Sequence, residues 1–97
     1  MFDTIQGFLI NLAKNSSSIE LEDVLAFEKK LTVVMSKKNY MASFDVTSAL
    51  DYDFLVINSN DEAIVFNKSK KLNDIRQLLE EINTDYNAFS QHNDMGG

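Results

Sequence analysis

Two short apolar runs on either side of a polar turn constrain the fold of this chain more than any other feature. Residues 54–57 and 63–66 are continuous runs of apolar, mostly β-branched or aromatic side chains. Such runs are typical of buried strands. The residues 58–61 between them are asparagine, serine and aspartate, which favour turns. The pattern predicts a β-hairpin with strands over 53–59 and 62–67.

An alternating pattern precedes this hairpin. Between residues 40 and 47, apolar side chains occupy every second position, and Ser43, Asp45 and Thr47 alternate with them. Such alternation predicts a strand with one buried face, so one face of the sheet is expected to meet solvent or a partner. The segment 31–35 can be read as a strand or as the continuation of a helix, and its β-branched residues favour a strand.

Two helices are predicted before the strands. Apolar side chains at steps of three and four residues predict the first helix over about residues 3–14. Ser17 and Glu20 have the spacing of a capping box, in which each side chain bonds a free backbone N–H at the start of a helix. A second helix is therefore predicted from about Ser17 to Lys30.

The periodicity after residue 69 predicts the longest helix, with Ser69 as its N-cap. Its acidic side chains, Asp85 among them, are expected opposite the apolar stripe. The polar residues 91–97 are expected to fray. The stripe consists of Leu72, Ile75, Leu79, Ile82, Tyr86 and Phe89.

These elements predict a single domain over residues 1–97. Its expected class is α+β: a small two-layer domain in which an antiparallel sheet of three to four strands packs against two N-terminal helices and one long C-terminal helix. No apolar run reaches the roughly 18 residues of a membrane-spanning helix. The N-terminus also lacks the basic region of a signal peptide, so a cytoplasmic protein is expected.

The residues needed for common catalytic and cofactor sites are scarce. The chain has no cysteine, its one histidine is His92 near the C-terminus, and its three glycines lack the spacing of a phosphate-binding loop. Asp51 and Asp53 share one face of an extended segment, but two carboxylates without a third ligand hold a divalent ion poorly. We therefore predict no catalytic residue, metal site or cofactor. An acid–base enzyme built on these two aspartates is the least favoured alternative.

The distribution of charge is more informative. Fifteen acidic and nine basic side chains give a net charge of −6, and no lysine or arginine lies between Asn39 and Asn67. This acidity disfavours direct binding to nucleic acid or to anionic membranes, and it favours a protein partner with a basic surface. It can equally serve solubility alone. The predicted partner-binding residues are Asp45, Asp51, Asp53, Asp61 and Glu62, followed by Glu80, Glu81 and Asp85.

Two functions remain open. The favoured one is a non-enzymatic acidic protein-binding module, such as a phage or mobile-element inhibitor whose carboxylates mimic phosphates and occupy the nucleic-acid-binding surface of a host defence nuclease. In size and charge the chain resembles small acidic phage inhibitors, including anti-CRISPR proteins, although it shares no motif with them. The alternative is a structural or assembly subunit. It would form a homo-dimer or larger homo-oligomer through an edge of the sheet and the C-terminal helix, where Tyr86 and Phe89 lie.

Overall fold

The computed structural model describes residues 1–91 and places two helices on one face of a five-stranded antiparallel sheet. Each strand pairs with the next one along the chain. The predicted α+β class is confirmed, whereas the predicted three helices and three to four strands are wrong. The elements are α1 (Phe2–Lys14), β1 (Glu20–Ala26), β2 (Lys30–Lys37), β3 (Tyr40–Thr47), β4 (Asp51–Asn58), β5 (Ile64–Lys71) and α2 (Ile75–Ser90).

The core lies between the sheet and the helices. Side chains of the three central strands alternate between buried and more exposed positions, which gathers the apolar residues on one face. Both helices pack on that face: α1 lies over β1 and β2, and α2 lies over β4. The largest fully buried side chains include Tyr52, Phe44, Ile5, Leu9, Leu31, Met35, Leu78 and Ile82.

The predicted second helix, from about Ser17 to Lys30, is wrong because this segment forms β1 and the turn into β2. A β-bulge directly after Leu21 inserts one extra residue into β1. The bulge leaves Leu21 and Val24 opposite buried residues of β2, on the helix-facing side of the sheet. Two apolar residues three positions apart therefore share a face in a strand, which imitates the spacing of a helix.

The start of the last helix also differs from the prediction. Ser69 lies within β5, where its hydroxyl donates a hydrogen bond to Asp53. The N-cap of α2 is Asp74, whose Oδ1 accepts a hydrogen bond from the backbone N–H of Gln77 at 2.9 Å. The polar residues 67–71 continue β5 because each of them pairs with a residue of β4.

Several predictions of local structure are confirmed. The segment 31–35 lies within β2, and the hairpin of β4 and β5 is present. The apolar stripe of the last helix packs into the core, where Ile82, Tyr86 and Phe89 are buried. Residues 91–97 are predicted to fray, but all of them except Gln91 lie outside the described part of the chain.

Two hydrogen bonds hold the C-terminal half of α2 in place. The hydroxyl of Tyr86 donates to the backbone carbonyl of Leu12 in α1 at 2.9 Å. The Nζ of Lys37, at the end of β2, donates to the backbone carbonyl of Ser90. A positive charge at that position complements the negative end of the helix dipole. The end of α2 is therefore fixed over both α1 and the sheet.

We expect the Asp74→Ala substitution to lower the free energy of unfolding by about 1 kcal/mol, because the N–H of Gln77 loses its acceptor. Asp74→Ser keeps a side-chain oxygen at this position and should change the stability little. Urea denaturation of the two variants measures the difference. An equal loss in both would contradict the capping role of Asp74.

Candidate functional site

The sheet face opposite the two helices carries more acidic than basic side chains, and we call it the open face. It is formed by the side chains that alternate with the core residues of β2, β3 and β4 and by their neighbours on β1 and β5. Its basic residues are Lys30 and Lys71. Its acidic residues are Glu20, Glu22, Asp23, Asp45, Asp51 and Asp53.

Three aspartates lie close together at one end of the open face, and we call Asp45, Asp51 and Asp53 the acidic row. Asp45 and Asp53 are directly opposite each other in the pairing of β3 with β4, an arrangement that puts Cβ atoms about 5 Å apart. Asp51 is on the same strand and face as Asp53, about 7 Å along β4. All three are predicted partner-binding residues, and the structure brings them together.

Hydroxyl groups from neighbouring positions donate hydrogen bonds to this acidic row. Thr32 donates to Oδ1 of Asp45, and the Ser43 hydroxyl donates to Oδ2 of the same carboxylate at 3.2 Å. Ser69 donates to Oδ1 of Asp53. Like charges directly opposite each other across two strands are destabilising. The hydroxyl donors offset part of that repulsion because hydrogen bonds to ionised acceptors are strong.

Two lysines border the acidic row without covering it. Lys30 Nζ lies 4.0 Å from Oδ1 of Asp45, and Lys71 Nζ lies 3.4 Å from Oδ1 of Asp51. Both lysine side chains are more than half exposed, at 54% and 62%. Ion pairs this exposed contribute little to stability. Asp51 and Asp53 are therefore open to a competing cationic group, whereas the Asp45 side chain is partly covered.

Apolar side chains occupy the middle of the open face. Val34, Met41, Leu55 and Ile57 are half-buried by their neighbours on the sheet. Leu55 is opposite Ser43, and Met41 is opposite Ile57 in the pairing of β3 with β4. An apolar centre bordered by polar and charged groups is the usual composition of a protein–protein interface.

Asp61 and Glu62 lie away from the acidic row. Both belong to the turn after β4, whereas Asp51 and Asp53 are at its start. An eight-residue strand separates its two ends by about 23 Å. Asp61 Oδ1 accepts the backbone N–H of Ala63 at 3.0 Å, and Glu62 has a positive φ of 59°. These two predicted interface residues thus belong to a different surface.

The three acidic residues predicted on the last helix lie on the other layer of the molecule. Glu80 is exposed, and its Oε1 is 3.7 Å from the Nε of Arg76. Glu81 accepts hydrogen bonds from Lys68 and Lys70 at 2.6 and 2.8 Å. Asp85 is only 5% exposed. The prediction that Asp85 lies on the polar side of α2 is wrong, because its carboxylate is an acceptor inside the core.

Asp85 joins β4, β5 and α2 in one hydrogen-bond network. Its Oδ2 accepts from the Tyr52 hydroxyl at 2.8 Å, and its Oδ1 accepts from Lys68 Nζ at 3.0 Å. Burial raises the pKa of Tyr52 far above its usual value, and the charge of Asp85 raises it further. Partial burial acts to lower the pKa of Lys68, but hydrogen bonds to Glu81 and Asp85 outweigh it and the pKa is raised. Hydrogen bonds from Lys68 and Lys70 lower the pKa of Glu81.

The acidic residues of β1 are not among the predicted partner-binding residues. Glu20, Glu22 and Asp23 extend the acidic surface of the open face to the opposite edge of the sheet, and Ser36 donates to Oε2 of Glu22 at 2.5 Å. They lie in the segment predicted as the second helix, from about Ser17 to Lys30. Reading residues 20–26 as a strand with a bulge after Leu21 places these three acidic residues on the sheet.

Comparison with known proteins adds no relative. No family model, curated protein or solved structure matches the chain. Within residues 1–91, no three side chains of the metal-binding types are grouped as a metal site. Neither of the two described helices is long and apolar enough to cross a membrane. The open face therefore has to be interpreted from its own geometry.

We expect the stability of the native chain to fall above about pH 10, where an unfolded tyrosine loses its proton. Because the folded-state pKa of Tyr52 is raised, the unfolded chain releases this proton first as the pH rises. The contribution of Tyr52 to the free energy of unfolding is therefore complete only below about pH 10. Tyr52→Phe should flatten this alkaline decline, as measured by urea denaturation between about pH 8 and 11.

At neutral pH, Tyr52→Phe should lower the free energy of unfolding by about 2 kcal/mol, because its acceptor is a charged carboxylate. Tyr86→Phe is the matched control, since it removes a hydrogen bond to a neutral carbonyl and should cost about 1 kcal/mol. The same alkaline decline in the native chain and in Tyr52→Phe would contradict the assigned role of Tyr52.

Proposed function

We propose that this chain is a non-enzymatic binding protein whose open face docks onto a basic surface of a protein partner. The observation that carries the proposal is the pair of carboxylates Asp45 and Asp53, directly opposite each other on two central strands. Folding alone does not favour that pair, because like charges in this position cost about 0.2–1 kcal/mol relative to neutral residues. A cationic partner converts the same arrangement into a favourable contact.

The surroundings of the pair support the same interpretation. Thr32, Ser43 and Ser69 orient the two carboxylates by hydrogen bonds, so a partner meets fixed acceptors instead of mobile side chains. Fixed side chains lose less conformational entropy on binding. The adjacent apolar residues Met41, Leu55 and Ile57 add area whose removal from water stabilises a complex.

The chemistry of the open face suggests the class of partner. Carboxylates about 7 Å apart along β4 and about 5 Å apart across to β3 present anionic oxygens in a regular array. A groove that binds the phosphates of nucleic acid presents arginine and lysine side chains to such an array. We therefore favour a nucleic-acid-processing enzyme, such as a host defence nuclease, as the partner, with inhibition as the result of binding.

Charge reversal on the open face tests the proposal. Asp51→Lys combined with Asp53→Lys should abolish capture of basic partners from a cell lysate, because it places positive charge against a positive surface. Asp3→Lys combined with Glu80→Lys changes the net charge equally at two exposed positions on the helices and should leave capture unchanged.

The proposal is supported if one partner binds the native chain and the Asp3→Lys, Glu80→Lys variant but not the Asp51→Lys, Asp53→Lys variant. An excess of duplex DNA should release that partner. Mass spectrometry of the three eluates measures these differences. Equal capture by both double variants would show that total charge, and not the open face, governs binding.

The opposed carboxylates also predict a conflict between stability and binding. Asp53→Asn removes the repulsion with Asp45 and should raise the free energy of unfolding by about 0.5 kcal/mol while weakening partner capture. Asp51→Asn is the matched control on the same strand and face, and it removes an attraction to Lys71 instead. Urea denaturation should therefore show a gain only for Asp53→Asn. A loss of stability in that variant would be evidence against the proposed repulsion.

A further inference from the structure

The outer edge of β5 is apolar at one end and exposed. Strand β5 is the last strand of the sheet, and none of the described strands pairs with its outer side. Ile64, Val65 and Phe66 are 65%, 43% and 47% exposed. Edge strands usually carry charges or a covering element that prevents pairing with another chain. The first half of β5 has neither, and its only irregularity within the described residues is a bulge at Val65, where the pairing with β4 shifts by one residue.

A groove continues this apolar edge under α2. It has a volume of about 270 Å³ and lies between the helix and the two last strands. Except for the Asp85 carboxylate, the side chains around it are apolar. They are Phe54, Val56, Val65, Phe66, Asp85, Ala88 and Phe89. Because both oxygens of Asp85 already accept hydrogen bonds within the chain, the free surface of the groove is hydrophobic.

The order of charges along this edge is self-complementary. Asp61 and Glu62 precede the apolar segment 64–66, and Lys70 and Lys71 follow it. A twofold axis near Phe66, perpendicular to the sheet, reverses the direction of the second copy. The acidic turn of each copy then lies along the lysine-bearing end of the other. Phe66 of one copy then lies opposite Phe66 of the other, and Val65 and Ile64 lie opposite Asn67 and Lys68.

We propose that β5 is a self-association edge through which two copies of this chain pair antiparallel into one continuous sheet. The pairing satisfies the outward N–H and C=O groups of both edge strands. It also covers Phe66 of each copy and the mouths of the two grooves. This interface goes beyond the proposed function, since it uses a strand edge and, apart from Lys71 at the border, leaves the acidic row of the open face free.

The charge pattern favours a second copy over other occupants. A closed twofold interface requires the same patch to complement itself, and the acidic–apolar–basic order of residues 61–71, from the turn through β5, meets that requirement. An unrelated acidic peptide would match only the lysine-bearing half. The other sheet edge is less suited, because like charges at Glu20, Glu22 and Asp23 follow one another along β1.

The test is the molar mass of the full chain across a dilution series, measured by light scattering and sedimentation velocity. We expect a concentration-dependent rise from the 11.0 kDa monomer to twice that mass and no further. Amide hydrogen exchange should slow in residues 64–71 as the dimer forms, and residues 20–26 should be unaffected. A monomer at every concentration would overturn the proposal. Continued growth beyond the dimer would also overturn it, because it indicates head-to-tail pairing of β1 with β5.

A charge swap tests the orientation. Asp61→Lys combined with Glu62→Lys should weaken dimerisation about tenfold, because each substitution acts twice in a twofold interface. Adding Lys70→Glu to these two substitutions should restore most of the affinity. Restoration cannot be explained by a folding defect, since the third substitution also removes a contact to Glu81 within the chain. Unchanged affinity in the double variant, or no restoration in the triple variant, would overturn the antiparallel arrangement.

Discussion

The buried carboxylate of Asp85 links β4 and β5 to α2, and the arrangement of this side of the molecule depends on that contact. None of the eight side chains of β5 is buried, so hydrophobic packing contributes little to holding this strand. Its backbone pairs with β4, and Lys68 connects it to Asp85 and Glu81 of α2 at 3.0 and 2.6 Å. Tyr52 donates to the same Asp85 from β4. One carboxylate thus fixes the position of a helix relative to two strands.

Such a network does more to fix the position of α2 over the sheet than to raise the free energy of unfolding. Removing an ion pair from water costs about as much as its attraction returns, but a displaced helix would leave Asp85 without partners in the core, which is costly. The network therefore selects one position of α2 over the sheet. Because the contacts to Lys68 and Lys70 lie in the second half of β5, the first half at 64–66 remains without cover. The apolar edge and the groove follow from this uneven attachment.

The predictable parts of the fold are those in which apolar side chains recur at regular intervals within one short segment. Alternation in 40–47 and the two apolar runs around the turn at 58–61 gave β3, β4 and the hairpin. The bulge in β1 could not be recognised, because it makes Leu21 and Val24 share a face with helical spacing. The helix start was misplaced because Ser69 and Asp74 are both good caps in isolation. Only the pairing of residues 67–71 with β4 distinguishes them.

The candidate site was predictable to the same extent. Asp45, Asp51 and Asp53 are predictable because no basic residue lies between Asn39 and Asn67 and strand periodicity puts Asp51 and Asp53 on one face. The structure brings the three together. Asp85 was misassigned because its partners, Tyr52 and Lys68, are 33 and 17 residues away in the sequence. A charged residue beside an apolar stripe is usually solvated. Long-range partners of this kind leave no periodic signal in a single sequence.

The open face and the β5 edge have a geometric relation that constrains any partner. Pairing about an axis perpendicular to the sheet puts both open faces on the same side. Ser69, the β5 neighbour of Asp53, is three residues from Phe66, so the two acidic rows lie about 25 Å apart across the joined sheet. A partner with two basic patches at that separation gains the effective concentration of a bivalent contact, whereas a partner with one patch gains nothing from the dimer. A dimer would therefore favour partners whose basic patches lie at this distance from each other, a preference that net charge alone cannot provide.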